Sequence, residues 1–170
     1  CEREGELVLG RDVTTRRISA EPGDQGNILR RYIIRCDYVN SDNIRARQIM
    51  TAVDVGERRF TDLWRSRVVS PPSPDGAAVY AELCRLYTAP YRRYHNLGHI
   101  HDCLRLVDEV APLLIDRDAV EFGVWFHDAV YDTGVNNNEW RSAELFLERS
   151  AGASFVFRHR VCGHILATRH

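Results

Sequence analysis

The sequence predicts a mainly α-helical bundle preceded by a small α+β segment, and three observations carry that reading. The first is a change of apolar rhythm along the 170 residues. Short β-rich pieces punctuated by Gly, Pro, Asp and Asn run to about residue 40, and apolar residues at helical spacing follow from about 58. The second is the histidines, all seven of which lie between positions 95 and 170. The third is a composition of 44% hydrophobic and 28% charged residues, ordinary for a chain long enough to build one core without disulfide or metal staples.

The elements follow in order. "ELVLG", "TTRRISA" and "RRYIIRCDYV" read as strands around the turn "EPGDQGN", and a helix is expected after Ser41 or Asp42 over "NIRARQIMTAVDV". Residues 1–57 thus form the α+β segment and 58–170 the helical domain. There, "RRFTDLWRSRVV" stops at Pro71, Pro72 and Pro74. "DGAAVYAELCRLYTA" sets Val79, Leu83, Leu86 and Tyr87 on one face and stops at Pro90. "HNLGHIHDCLRLVDEVAPLL" carries the stripe Leu97, Ile100, Leu104, Val107 and Val110. "DAVEFGVWFHDAVYD" is apolar almost all round and reads as one central buried helix, with Trp125 and Phe126 in the core. "NNNEWRSAELFLERSAG" opens on Asn136 and Glu139, spaced as a capping box, and closes at Gly152. "FVFRHRVCGHILATRH" reads as a helix to the last residue.

Several functions are disfavoured by bulk properties. A net charge of -1 gives no field toward nucleic acid or membrane. The front arginines (Arg16, Arg17, Arg30, Arg31) are offset by acids and lack an aromatic stacking platform, so no nucleic-acid partner is expected. There is no lysine. No apolar stretch approaches the ~20 residues of a membrane span, and no signal-peptide pattern opens the chain. The five cysteines (Cys1, Cys36, Cys84, Cys103, Cys162) are scattered without a CxxC pair, which argues against a disulfide framework and for a reducing cytoplasm.

The candidate site lies in the helical half. His95 and His99, four apart, share a face if both are helical, and Asp102 lies near that face. His101 turns away and reads as solvated. His127 and Asp128 are neighbours that diverge by about 100° on a helix, yet one ion wedged between helix faces reaches both. Imidazole and carboxylate suit a first-row divalent ion, and an open coordination position keeps water that ionises near neutral pH. Asp128 in an apolar run needs a cation, because an unpaired buried carboxylate must otherwise neutralise. Arg92 and Arg93 have the planar guanidinium geometry that clamps phosphate. His159 and His164 fall outside this pattern, and Ser142 reads as a small residue for close packing.

Taken together, "RRYHNLGHI", "WFHDAVYD", "NEWRSAELF" and "ILATRH" resemble the HD superfamily of metal-dependent phosphohydrolases, in the branch with a YHNxxHI, FHDxxYD, NExxSA and IxATxxH series. The match spans about 58 to 170. The resemblance implies an HD-type helical bundle with His95 as first metal ligand, His99 as a further ligand or supporting group, and His127 and Asp128 as the HD pair. It implies catalytic roles for Asp128, Glu139 and His170, while Arg92 and Arg93 are expected to bind substrate through their guanidinium chemistry. It also implies another Asp ligand past His170, so either the natural chain is longer or the site is incomplete. The expected cofactor is a divalent metal (Mn, Mg, Co, Ni, Zn or Fe) and the expected substrate a nucleotide or other small phosphorylated molecule. Two alternatives share the scaffold: a catalytically lapsed metal- or nucleotide-binding module, and a di-iron oxygenase.

Overall fold

The structure is a computed structural model that describes residues 46–169, with side chains described from 56. Most of the expected α+β segment, and His170, lie outside the described residues. Those described form six α-helices and one short 3-10 turn, with no strand. They are α1 (Ala46–Arg67), α2 (Gly76–Tyr87), α3 (Leu97–Val110), the 3-10 turn Ala111–Leu113, α4 (Arg117–Phe126), α5 (Asn138–Arg149) and α6 (Phe155–Ala167).

Side-chain caps begin four of these helices. Asp75 accepts from Ala78 N at 2.9 Å, Asn96 from Gly98 N at 2.9 Å, Asp116 from Ala119 N at 3.1 Å and Ser154 from Phe157 N at 3.3 Å. The expected capping box of Asn136 and Glu139 is corrected: the N-cap is Asn137, and its side chain makes no capping bond. α6 stops at Ala167 rather than running to the end, because Thr168 turns its N–H back onto Ile165 and Leu166 carbonyls. α1 runs unbroken through position 57. Gly56 lies inside it at a close approach, where a Cβ would sit 2.9 Å from Tyr80 Oη and 3.3 Å from His101 Nε2. His101 is therefore half-buried against α1 rather than solvated.

α4 is central and packs on α3, α5 and α6, while α1 pairs with α2. Every residue from Ala119 to Phe126 is buried, as its all-round apolar sequence requires. Phe60 of α1 reaches it with ring centroids 5.4 Å from Trp125 and 6.1 Å from Phe122. The one charge on that helix that is buried, Glu121, is held by Arg59 in a fork of 2.6 and 2.8 Å, so its desolvation is compensated. Among the described residues no helix is long and apolar enough to cross a membrane.

His164 on α6 carries a pH prediction. Burial pushes its imidazole below the ordinary value, with Asp116 acting in the opposite direction. The unfolded chain therefore takes up a proton near pH 6.5 that the folded chain resists. This contribution is intact above that pH and is lost as pH falls below it. His164→Gln is expected to flatten the decline of melting temperature between about pH 7 and 5. An unchanged slope would remove His164 as a cause.

Candidate metal centre

The site forms where the start of α3 meets the end of α4. Asn96 is decisive for the first segment: its Oδ1 accepts from Gly98 N and His99 N at 2.9 and 3.4 Å, and its Nδ2 donates to Arg93 O at 3.2 Å. The helix thus begins at Leu97, and His95 stands before it. The shared helical face expected for His95 and His99 is corrected; an irregular segment brings His95 in.

The second segment is corrected likewise. His127 and Asp128 are not inside a long helix, since α4 ends at Phe126 with His127 as its C-cap. The freed carbonyls all find donors. His127 N bonds Gly123 O at 2.9 Å, His127 Nδ1 meets Val124 O at 2.8 Å, and Tyr87 Oη donates to Trp125 O at 3.0 Å. Arg92 Nη1 donates to Asp128 O at 2.7 Å and His95 O at 3.1 Å, and its Nη2 donates to Ala129 O at 2.8 Å. Leaving the helix at this point lets two adjacent side chains face one place.

Four side chains converge there. Asp128 Oδ2 lies 2.6 Å from His95 Nδ1, 3.0 Å from His127 Nε2 and 3.8 Å from His99 Nε2. The two Nε2 atoms of His99 and His127 are 3.2 Å apart. Donor atoms of His95, His99 and Asp128 all lie within 4.8 Å of one another, a group able to hold a metal ion. His127 donates Nδ1–H to Val124 O, which turns the Nε2 of the same ring toward the cluster. Burial, reinforced by His127, pushes His99 down to about 3, so His99 presents a lone pair near neutral pH. Burial opposes ionisation of Asp128, yet His127 and His95 hold its carboxyl well below the usual range. Three imidazoles and an anionic oxygen fit a divalent first-row ion.

The remaining expected residues are spread out. Arg92 is buried between the Tyr87 and Tyr131 rings, 5.1 and 5.4 Å from their centroids, with both terminal nitrogens on carbonyls. That makes it a staple between the two site segments; its neighbour Arg93 is exposed. Glu139 is half-buried in the first turn of α5, and no described side-chain hydrogen bond ties it or Arg93 to the cluster. Ser142 does more than leave space: its Oγ accepts from Val130 N at 3.0 Å and pins the turn after Asp128 to α5. Two residues were missed in the sequence. Asn96 had the N-cap signal, three before His99. Tyr131, whose ring lies 4.7 Å from that of His95, had only its place in the FHDxxYD series.

No family model, no curated protein and no solved structure matches the chain.

Arg92→Lys is expected to weaken divalent-metal affinity about 10- to 100-fold, the usual cost of losing a residue that orients ligands. An ammonium cannot span the three carbonyls that the planar fork holds. Competition with a chromophoric chelator measures it, and Arg93→Lys serves as the neutral control. Equal affinity in wild type and Arg92→Lys would show that the staple does not position the ligands.

Proposed function

We propose that the chain is a metal-dependent phosphohydrolase of HD type acting on a nucleotide or another small phosphoester. The observation that carries the reading is the convergence of His95, His99 and His127 on the buried carboxylate of Asp128, from motif segments in the HD order. A divalent ion held there would polarise a phosphoryl oxygen and acidify a water enough for attack near neutral pH. His99 offers a lone pair, His95 and His127 present ring nitrogens, and Asp128 offers the negative charge. Arg92 fixes the backbone of both segments. Arg93, exposed on the segment leading to His95, is the cation left to meet phosphate oxygens. Glu139 and His170 are the remaining candidates for proton transfer.

The test is phosphate release by the full chain from nucleoside monophosphates, cyclic phosphodiesters and sugar phosphates, with Mn, Mg, Co, Ni, Zn or Fe supplied singly. Turnover lost in a folded His127→Ala, Asp128→Ala variant supports the reading. No turnover on any of them by metal-loaded protein would sink it.

A further inference from the structure

We propose that Tyr131 is a positioning residue of the metal centre, whose clamped ring holds the imidazole of His95 toward the ion. The inference rests on the metal-binding part of the reading above and not on hydrolysis.

His95 is the imidazole of the cluster that the backbone orients least. His99 is carried by α3, and His127 anchors its Nδ1 on Val124 O. His95 stands before α3, and the described hydrogen bond of its ring runs to Asp128 Oδ2, itself a candidate ligand. A bond between two ligands fixes neither of them, because an ion competes for the same atoms. Histidine ligands are normally oriented by a partner outside the ligand set. For His95 that partner is a ring. Tyr131 lies 4.7 Å away, centroid to centroid, with the two planes 38° apart. The rings of Tyr94 and His99 meet His95 edge-on and farther off, at 5.8 and 5.7 Å.

A ring positions its neighbour only if it is held itself, and Tyr131 is held on both sides in the chain. Before it, Ser142 Oγ accepts from Val130 N at 3.0 Å and donates to Val130 O at 3.4 Å. After it, Asn138 Oδ1 accepts from Asp132 N at 3.0 Å, and Asn138 Nδ2 donates to Asp132 O at 2.8 Å. Asn138 and Ser142 are one turn apart on α5, so a single helix face grips the backbone on either side of Tyr131. The ring is held as well, by the Arg92 guanidinium 5.4 Å from its centroid. Arg92 is in turn fixed on the carbonyls of His95, Asp128 and Ala129.

The motif "NEWRSAELF" thereby serves the centre at one remove. Asn138 and Ser142 hold the turn, the turn holds Tyr131, and Tyr131 holds His95. The working part is the aromatic face, so phenylalanine should replace tyrosine and an aliphatic residue should not.

The experiment compares wild type, Tyr131→Leu and Tyr131→Phe of the full chain by two measurements. One is zinc affinity by competition with a chromophoric chelator, and the other is proton NMR of the histidine rings without metal. Tyr131→Leu is expected to bind zinc about 10- to 100-fold more weakly, and Tyr131→Phe to match wild type. Without metal, the His95 ring signal, assigned by its loss in His95→Gln, should shift in Tyr131→Leu while that of His127 stays in place. A general loosening of the turn after Asp128 would move both. Equal zinc affinity in wild type and Tyr131→Leu, a loss in Tyr131→Phe as large as in Tyr131→Leu, or a His127 signal that moves with His95 overturns the role of Tyr131 and leaves the metal centre standing. A wild type that binds no zinc overturns both. If Tyr131→Leu does not fold, nuclear Overhauser contacts in the wild type decide. Strong contacts between the Tyr131 and His95 rings, with the His95 signal moved upfield by the ring current, support the proposal, and their absence overturns it.

Discussion

Asp128→Asn is expected to abolish the thermal stabilisation that a divalent ion gives the wild-type chain. The Oδ2 of Asp128 is the point on which the cluster closes, with imidazole nitrogens at 2.6, 3.0 and 3.8 Å. It is the anionic member of the group that also holds His95 and His99. Asparagine keeps the size of the side chain but removes the charge that offsets the dication. An ion that binds only the folded chain stabilises it by about 2.7 kcal/mol at a hundredfold excess over its Kd. For a domain of this size that is roughly 8–15 °C in melting temperature. Differential scanning calorimetry with and without zinc or cobalt should show that rise in wild type and none in Asp128→Asn. The same rise in both would move the ion elsewhere and remove the basis of the proposed centre.

The comparison of sequence with structure turns on what is local. α2 and α3 were legible because their signals are local: Pro90 as a stop, and apolar residues at helical spacing. The end of α4 was not, because nothing in "VWFHDAVYD" breaks a helix. Contacts distant in sequence finish it there, Tyr87 on Trp125 O and Arg92 on Asp128 O and Ala129 O. The same holds for the adjacent arginines. Only the fold puts Arg92 inside and Arg93 outside, and sequence spacing does not distinguish a phosphate clamp from a backbone staple. His95 and His99 were paired by helical spacing, whereas His95 reaches the cluster through the bend that Asn96 anchors.

Gly152→Ala is expected to be the most destabilising single methyl in the described chain, at about 3–5 kcal/mol, the sum of overpacking and lost hydrogen bonds. In the sequence this glycine marks the end of α5, the usual place for a left-handed cap. Its φ is outside the left-handed region, so conformational freedom is not the reason for it. The reason is contact. A Cβ at 152 would lie 2.0 Å from Val69 O and 2.9 Å from Val69 C, and both are backbone atoms that no rotamer can move aside. Relief requires the α5–α6 turn to separate from the segment after α1. That breaks Val69 N to Gly152 O at 3.3 Å and Gly152 N to Ser73 Oγ at 2.8 Å. Ser73→Ala loses only the second of these and should cost about 1 kcal/mol. Against a typical stability of 5–15 kcal/mol, Gly152→Ala leaves a folded but fragile chain, its melting temperature lower by about 10–20 °C. The turn lies between α5 and α6 and supplies no ligand, so metal stoichiometry below the transition should match wild type. A melting temperature within a degree or two of wild type would mean that the two segments do not meet as described.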